Sequence, residues 1–391
     1  MKSAAKAKLS AALTALALGS ALGSLTASPV MAKASVEPEE SDVNTLPAAT
    51  KSWFFVQRGF VLSGTSIYDS ATGKLLGQVE TPILSDMALD PLGKAYYVSQ
   101  SIWTKGSRGT RQDYITIYDS TALKVQADID MPGRLLVGGR KNNFIVSEDG
   151  KWGFVYNFSP ASSVNLIDFT KRKFVKTIEL PGCADLIPNP GVGFSALCSD
   201  GSMATVSVMG AKPAITHTAP FFEATNDPVF DNLAYDKGRK QAVMMTYTGL
   251  IHIASISATP TIAPAFSIQE AAGIRKGETK PLEVNWYPGG GQPMALHRPS
   301  GHLFVLMHKG EYWTHKEGGE EVWEVDLAAR KVVKRLMVEG KPRSIEVTQE
   351  ASPRIITAGE DEAVRVIDPA TGNATYTIEH AGGGPITVIE P

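Results

Sequence analysis

Short runs of alternating apolar and polar residues recur along this chain, and each run closes on the same kind of turn. Ile67-Tyr68-Asp69 is followed by Thr72-Gly73-Lys74-Leu75, Ile117-Tyr118-Asp119 by Leu123-Lys124-Val125, and Leu166-Ile167-Asp168 by Lys173-Phe174-Val175. The pattern returns at Val325-Asp326 before Lys331-Val332-Val333, and at Val366-Ile367-Asp368 before Thr371-Gly372-Asn373. Weaker copies without the Asp lie at Val206-Ser207-Val208 and Ala254-Ser255-Ile256. Period-two alternation predicts half-buried strands, and Asp followed by Gly or Thr suits the turn that links two of them. The markers at 69, 119, 168, 207, 255, 326 and 368 are separated by 50, 49, 39, 48, 71 and 42 residues.

Steps of about 40–50 residues built from short strands are the signature of propeller blades. A second repeated turn sits inside the units: Leu89-Asp90 to Gly93-Lys94, Ser147 to Lys151, Tyr235 to Gly238 and His297 to Gly301 each precede an apolar strand. Seven units from residue 51 to 391 predict an all-β, seven-bladed β-propeller, a ring with only short, protected edges. A pair of β-sandwiches would not account for the regular period. The 71-residue step requires an insertion, and Ile268 to Lys280 within it has a weakly helical pattern.

The first 34 residues break the pattern. Lys2, Lys6 and Lys8 precede an Ala/Leu/Gly-rich stretch from Leu9 to Leu25, and cleavage-type triplets end at Ala32 and Ala34. This is the layout of a secretory signal peptide. Gly19, Ser20, Gly23 and Ser24 interrupt the apolar run, which counts against a membrane anchor. The chain is therefore expected to be exported, with no membrane contact after cleavage. Residues 35–50 are acidic and Pro-bearing without apolar period, and read as a flexible arm or a docking segment. The whole chain carries 38 basic and 40 acidic side chains; removing residues 1–34 takes four lysines and leaves a mildly acidic protein. No basic excess is present to draw it onto nucleic acid.

Export also changes the reading of the only two cysteines, Cys183 and Cys198. Disulfides persist in an oxidising compartment, and two cysteines allow one intramolecular pairing. The expectation is a structural disulfide between Cys183 and Cys198; the alternative is a pair of buried thiols. Neither cysteine lies beside a His or in a C-x-x-C pair, which argues against redox or nucleophilic chemistry.

Candidate catalytic motifs are scarce. There is no Gly-x-Ser-x-Gly elbow, Walker loop or His-Glu-x-x-His. Gly289-Gly290-Gly291 lacks a following Lys-Ser/Thr and reads as a turn between strands. His297, His302, His308 and His315 invite a metal hypothesis, but their spacing straddles a turn and need not converge. The repeated aspartates read as turn-formers and the six tryptophans as packing between blades. We therefore assign no catalytic, cofactor-binding or metal-ligating residue to this chain.

Several stretches resemble the heavy, or alpha, subunit of the quinoprotein amine dehydrogenases, the methylamine and aromatic amine dehydrogenases. Gly106-Ser107-Arg108-Gly109-Thr110-Arg111-Gln112-Asp113-Tyr114 is similar to that family's Arg-Gly-x-Arg-x-Asp segment. Phe158-Ser159-Pro160-Ala161, Gly182-Cys183, Cys198 to Ser202, Ile215 to Thr218, Tyr247 to His252, Trp286 to Gly290 with His297-Arg298, and Trp313 to Lys316 also match, in order, from about Lys51 onward. The resemblance implies a periplasmic propeller with one disulfide, paired two-and-two with a small light subunit. That partner would carry tryptophan tryptophylquinone and the catalytic carboxylate, and electrons would pass to an amicyanin- or azurin-like blue-copper protein. This chain would supply scaffold and part of the substrate channel. Methylamine enzymes place a bulky aromatic at the channel mouth; aligning Gly77-Gln78-Val79 and Asp90 to Gly93 puts Ile83 there. Methylamine is the favoured substrate. An aromatic amine enzyme, a non-enzymatic binding propeller and a stand-alone lactone hydrolase are the alternatives.

Overall fold

The computed structural model describes residues 45–59, 63–210 and 212–390. The export signal and residues 35–44 of the arm lie outside them. Seven antiparallel sheets follow one another around a ring, as the periodicity predicts. Blade 2 shows the plan: Ser85–Leu89 is innermost, then Ala95–Trp103 and Arg111–Asp119, with Val125–Asp130 at the rim. Because neighbouring strands run antiparallel, first-to-second and third-to-fourth turns emerge on one face, here called the hairpin face. Links from the second to the third strand and from one blade to the next emerge on the other, the crossover face.

All seven repeat markers fall at or just after the end of a third strand. The aspartates act there through local hydrogen bonds. Asp119 accepts from the backbone N–H groups of Thr121 and Ala122 at 2.9 and 2.7 Å, and Asp326 from those of Ala328 and Ala329, both at 2.9 Å. These donors favour the ionised form: the bond from Ala122 leads in holding Asp119 below its ordinary range, and that from Ala329 leads for Asp326.

Burial follows strand position. Middle strands are covered on both faces by the adjacent blades, so Gly193–Cys198 is buried at every residue. Rim strands keep one wet face, and Lys173–Glu179 and Lys331–Met337 alternate. The core is consequently a series of layers between blades. Phe154 and Tyr156 of blade 3, for example, share a cluster with Phe194 and Ala196 of blade 4. The ring closes when Ile386–Val388 adds as the innermost strand of blade 1, pairing Phe54 with Val388 and Val56 with Ile386. Residues 45–50 lie against this blade 1–2 junction: Leu46 N–H donates to Thr121 O at 2.9 Å, and Leu46 and Ala49 join the apolar layer there.

Cys183 and Cys198 stand opposite each other on the first two strands of blade 4 and form a disulfide. Closing a loop of this length contributes about 3 kcal/mol in the chain-entropy picture. The insertion between blades 5 and 6 is less helical than its pattern suggests. One turn, Ile268–Ala271, forms with Ser267 as its N-cap, and Gly273 at φ +75° takes the chain out of it. Gly289 to Gly291 does join two strand segments, Asn285–Pro288 and Met294–His297, which flank the same neighbour. Gly290 has φ +109°, and a Cβ there would sit 2.4 Å from Arg343 O, so no other residue fits this crossing.

Candidate functional site

The innermost strands enclose a central cavity of about 390 Å³, reached from the hairpin face. Its walls are apolar, with Met87, Ile145, Leu233, Met294, Leu296 and Val388 contributed by five different blades. At its rim Arg298 pairs with Glu390 at 2.5 Å and donates from Nε to Tyr235 O at 2.8 Å. At its floor Lys141 pairs with the buried Glu346 at 2.5 Å. Gln292 donates to Glu346 at 3.3 Å and to Ile386 O at 2.9 Å, while its own amide oxygen accepts from Ile386 N–H at 2.8 Å. Asn142 bridges Leu186 O and Leu233 N–H, and Asn232 accepts from Met294 N–H at 3.1 Å. Blades 3, 4, 5, 6, 7 and 1 are tied together by this one polar layer. The cavity can hold a small, largely apolar molecule, and the floor fastens the ring at its narrowest point.

No local signal could have revealed the Lys141–Glu346 pair, since 205 residues separate them. The same holds for Asn232 and Gln292, which are single polar residues in otherwise unremarkable stretches.

The four histidines are engaged separately. His297 contacts Ser300 Oγ and Glu350 O, both at 2.8 Å, His302 pairs with Glu324 at 2.6 Å, and His308 contacts Thr314 Oγ1 at 2.7 Å. His315 instead stacks on Tyr247, with ring centroids 4.0 Å apart. Among the described residues, no three His, Cys, Asp or Glu side chains are grouped to hold a metal ion. Trp53 and Trp323 are buried as inter-blade packing predicts; Trp313 is 47% exposed on the crossover face, in the loop between Gly310 and Glu321, where its ring meets Tyr247 of blade 5 edge-on at 5.7 Å. The segment from Gly106 to Tyr114 is a hairpin of blade 2. Its Arg111 grips Asp113 through Nη2 at 2.6 Å and reaches Leu135 O of blade 3 at 2.8 Å. Ile83 sits on the crossover face in the link between blades 1 and 2, with 47% of its surface exposed.

These features define a closed seven-bladed ring whose Gly106 to Tyr114 segment serves inter-blade packing and whose cavity floor is a structural clasp. The fold alone places it among very diverse company. It superposes on a periplasmic gluconolactonase of Pseudomonas aeruginosa with TM-score 0.59 and 14% identity, covering 86% of this chain and 99% of that one. The likeness to a dihydro-heme d1 dehydrogenase, NirN, is similar, with TM-score 0.57 and 14% identity over 90% of this chain and 78% of that one. Identity this low shows the propeller and nothing finer. Sequence is more specific. The family model for the methylamine dehydrogenase heavy chain matches residues 55–390. The methylamine dehydrogenase heavy chain of Methylobacillus flagellatus is 30% identical over 338 residues, 85% of this chain and 81% of that protein. That of Methylophilus methylotrophus is 27% identical over 353 residues, 86% and 84% of the two chains. The chain belongs to the methylamine dehydrogenase heavy chain family.

Proposed function

We propose that this chain is the heavy subunit of a periplasmic amine dehydrogenase dependent on tryptophan tryptophylquinone, with methylamine as the favoured substrate. The observation that carries the reading is the family match over 55–390, which takes in every blade. The reaction converts a primary amine and water to aldehyde, ammonia, two protons and two electrons, and the quinone on the partner light subunit supplies the electron sink. Two heavy and two light subunits would form the assembly, with electron transport onward to a blue-copper protein.

Tryptophans of this chain do not fit the quinone. Trp286 and Trp323 approach with centroids 5.8 Å apart, but Trp323 is fully buried and Arg335 lies over both rings at 4.9 and 4.5 Å. The chain's own contribution is to hold a partner and shape the approach to it.

The test is purification of the chain from the periplasm of its native host grown on methylamine. The expected result is a stoichiometric, disulfide-rich small subunit with a visible quinone band that methylamine bleaches. A band bleached only by tyramine or another arylalkylamine would transfer the reading to the aromatic amine branch. A colourless protein with no partner would leave a binding propeller and overturn the subunit assignment.

Ile83 is the specificity position we propose on this chain. A branched aliphatic leaves more room at a channel mouth than a bulky aromatic, so Ile83→Phe in the assembled enzyme should disfavour longer amines. A pocket change of this size shifts kcat/KM ratios about tenfold. The measurement is kcat/KM for butylamine relative to methylamine; an unchanged ratio would remove Ile83 from the channel.

A further inference from the structure

The clasp of Lys141 and Glu346 does not fill the centre of the ring. Beyond it a space of about 390 Å³ stays open toward the hairpin face. Apolar walls offer water few hydrogen bonds, so such a space favours apolar groups over solvent. Here the apolar wall runs on to the surface. Pro91, Leu92 and Ile389 continue it at the mouth, and Leu92 is 60% exposed there. A deep apolar wall open at one end suits a molecule with one alkyl chain and one polar head.

The charged residues of the lining say what the head is. Each carboxylate among them is already engaged. Glu346 holds Lys141 at 2.5 Å, Glu390 holds Arg298 at 2.5 Å, and Asp90 accepts from the N–H groups of Leu92 and Lys94 at 3.2 and 3.0 Å. The cations are not all matched. Arg239 and Lys240 pair with Asp236 and Glu148, both at 2.7 Å, whereas Lys237, which lines the cavity, has no partner among the described residues. Arg298 stands beside it, since its Nε donates to Tyr235 O, two residues before Lys237. Its side chain is only 11% exposed, yet its one carboxylate partner, Glu390, is 52% exposed and so holds it weakly. The mouth is therefore apolar on the blade 2 side and cationic where blades 5 and 6 meet.

We propose that the central cavity binds a medium-chain alkyl carboxylate, tail inward and head at the mouth. The tail lies against Met87, Ile145, Leu233, Met294 and Leu296, and the carboxylate takes Lys237 as its counter-ion and Arg298 as a second donor. An alkylammonium of the same length meets the same walls but brings its charge to two cations. An alcohol keeps the contacts of the tail and forgoes the ionic ones. This inference goes beyond the subunit assignment, because it concerns a ligand held by the ring of this chain itself.

The experiment uses the full mature chain together with any partner it carries. Sodium hexanoate, octanoate and decanoate are titrated at constant ionic strength, followed by calorimetry and by the methionine 13C-methyl signals. Two of the eleven methionines, Met87 and Met294, line the cavity and report on its occupation. Saturable binding that shifts these two signals is expected, with affinity rising about fourfold for each added methylene. Lys237→Met, which keeps the stem and removes the charge, should weaken octanoate about fivefold and leave octanol unaffected. Octylammonium should bind the parent at least about tenfold more weakly than octanoate, since it exchanges attraction for repulsion at the mouth. Affinity that does not rise with chain length, Met87 and Met294 signals that stay in place, or octylammonium binding as tightly as octanoate would each overturn the proposal. These readings need no variant to fold. Because the readout is direct binding to the ring, failure here leaves the partner-purification result standing, and failure of that result leaves this one standing.

Discussion

Arg111→Ala should destabilise the ring by about 3–5 kcal/mol, the usual consequence of leaving one member of a buried ion pair behind. Arg111 meets Asp113 in a forked arrangement, Nε to Oδ2 at 2.8 Å and Nη2 to Oδ1 at 2.6 Å. The same Nη2 donates to Ser101 Oγ at 2.7 Å and to Leu135 O at 2.8 Å, and the guanidinium lies 5.2 Å from the Trp103 ring centroid. Asp113 is almost fully buried, so truncating the arginine strands its carboxylate with only the Ser101 hydroxyl as donor. Lysine would not rescue the site, because one ammonium cannot reproduce the planar fork and the reach to blade 3. The double variant Arg111→Ala/Asp113→Ala should lose less than Arg111→Ala alone, since the stranded charge is gone. Urea midpoints for the three proteins test this. If the single and double variants are equally destabilised, the loss comes from packing over Trp103 and the ion pair is incidental.

This site also marks where the sequence could be read and where it could not. Gly106 to Tyr114 was recognisable as a family segment, yet its job, fastening blade 2 to Leu135 of blade 3, lies in a contact 24 residues away. The blades themselves were legible because their turns are made locally. An Asp at the end of a third strand caps N–H groups two or three residues on, so the marker and its structure share one short stretch. The two weak copies follow the same logic by other means. After Ser255, Ser257 Oγ both donates to Thr259 O and accepts from Thr259 N–H, and after Ser207 the chain turns through Gly210 at φ +96°. The disulfide was legible from the count of two. Ring closure by Ile386–Val388 on Trp53–Gln57 and the Lys141–Glu346 clasp depend on which blades become neighbours. No periodicity within a blade encodes that. Trp313 keeps the inter-blade contact that indole size suggests, edge-on to Tyr247 of blade 5 at 5.7 Å, but at the open crossover face, which no periodicity marks. The helical pattern after Ile268 failed at Gly273, where backbone freedom outweighed apolar spacing.

Asp86→Asn should abolish a pH dependence of stability worth about 3 kcal/mol. Asp86 lies at the crossover end of the strand Ser85–Leu89, only 1% exposed. Its carboxyl accepts from Arg140 N–H at 2.6 Å, Gly138 N–H at 3.4 Å and Asn143 Nδ2 at 3.5 Å, and no basic side chain pairs with it among the described residues. Burial outweighs these donors and pushes the carboxyl from its ordinary 3.8 up to about 6. Between those two values the folded chain keeps a proton that the unfolded chain has released, so stability falls as pH rises through the window and is flat above it. At ~1.4 kcal/mol per unit over about two units, the loss is about 3 kcal/mol. Asparagine cannot ionise, and its Oδ1 can still accept from Arg140 N–H. The variant should therefore match the parent near pH 4 and exceed it near pH 8. His252 acts in the opposite sense: its imidazole is depressed to about 4, so its contribution is regained as pH rises from there toward 6.5. That effect is common to both proteins and cancels in the difference between them. Urea midpoints from pH 4 to 8 measure that difference. Parallel curves would mean that the Asp86 carboxyl is ionised throughout, held by its three donors rather than neutralised by burial.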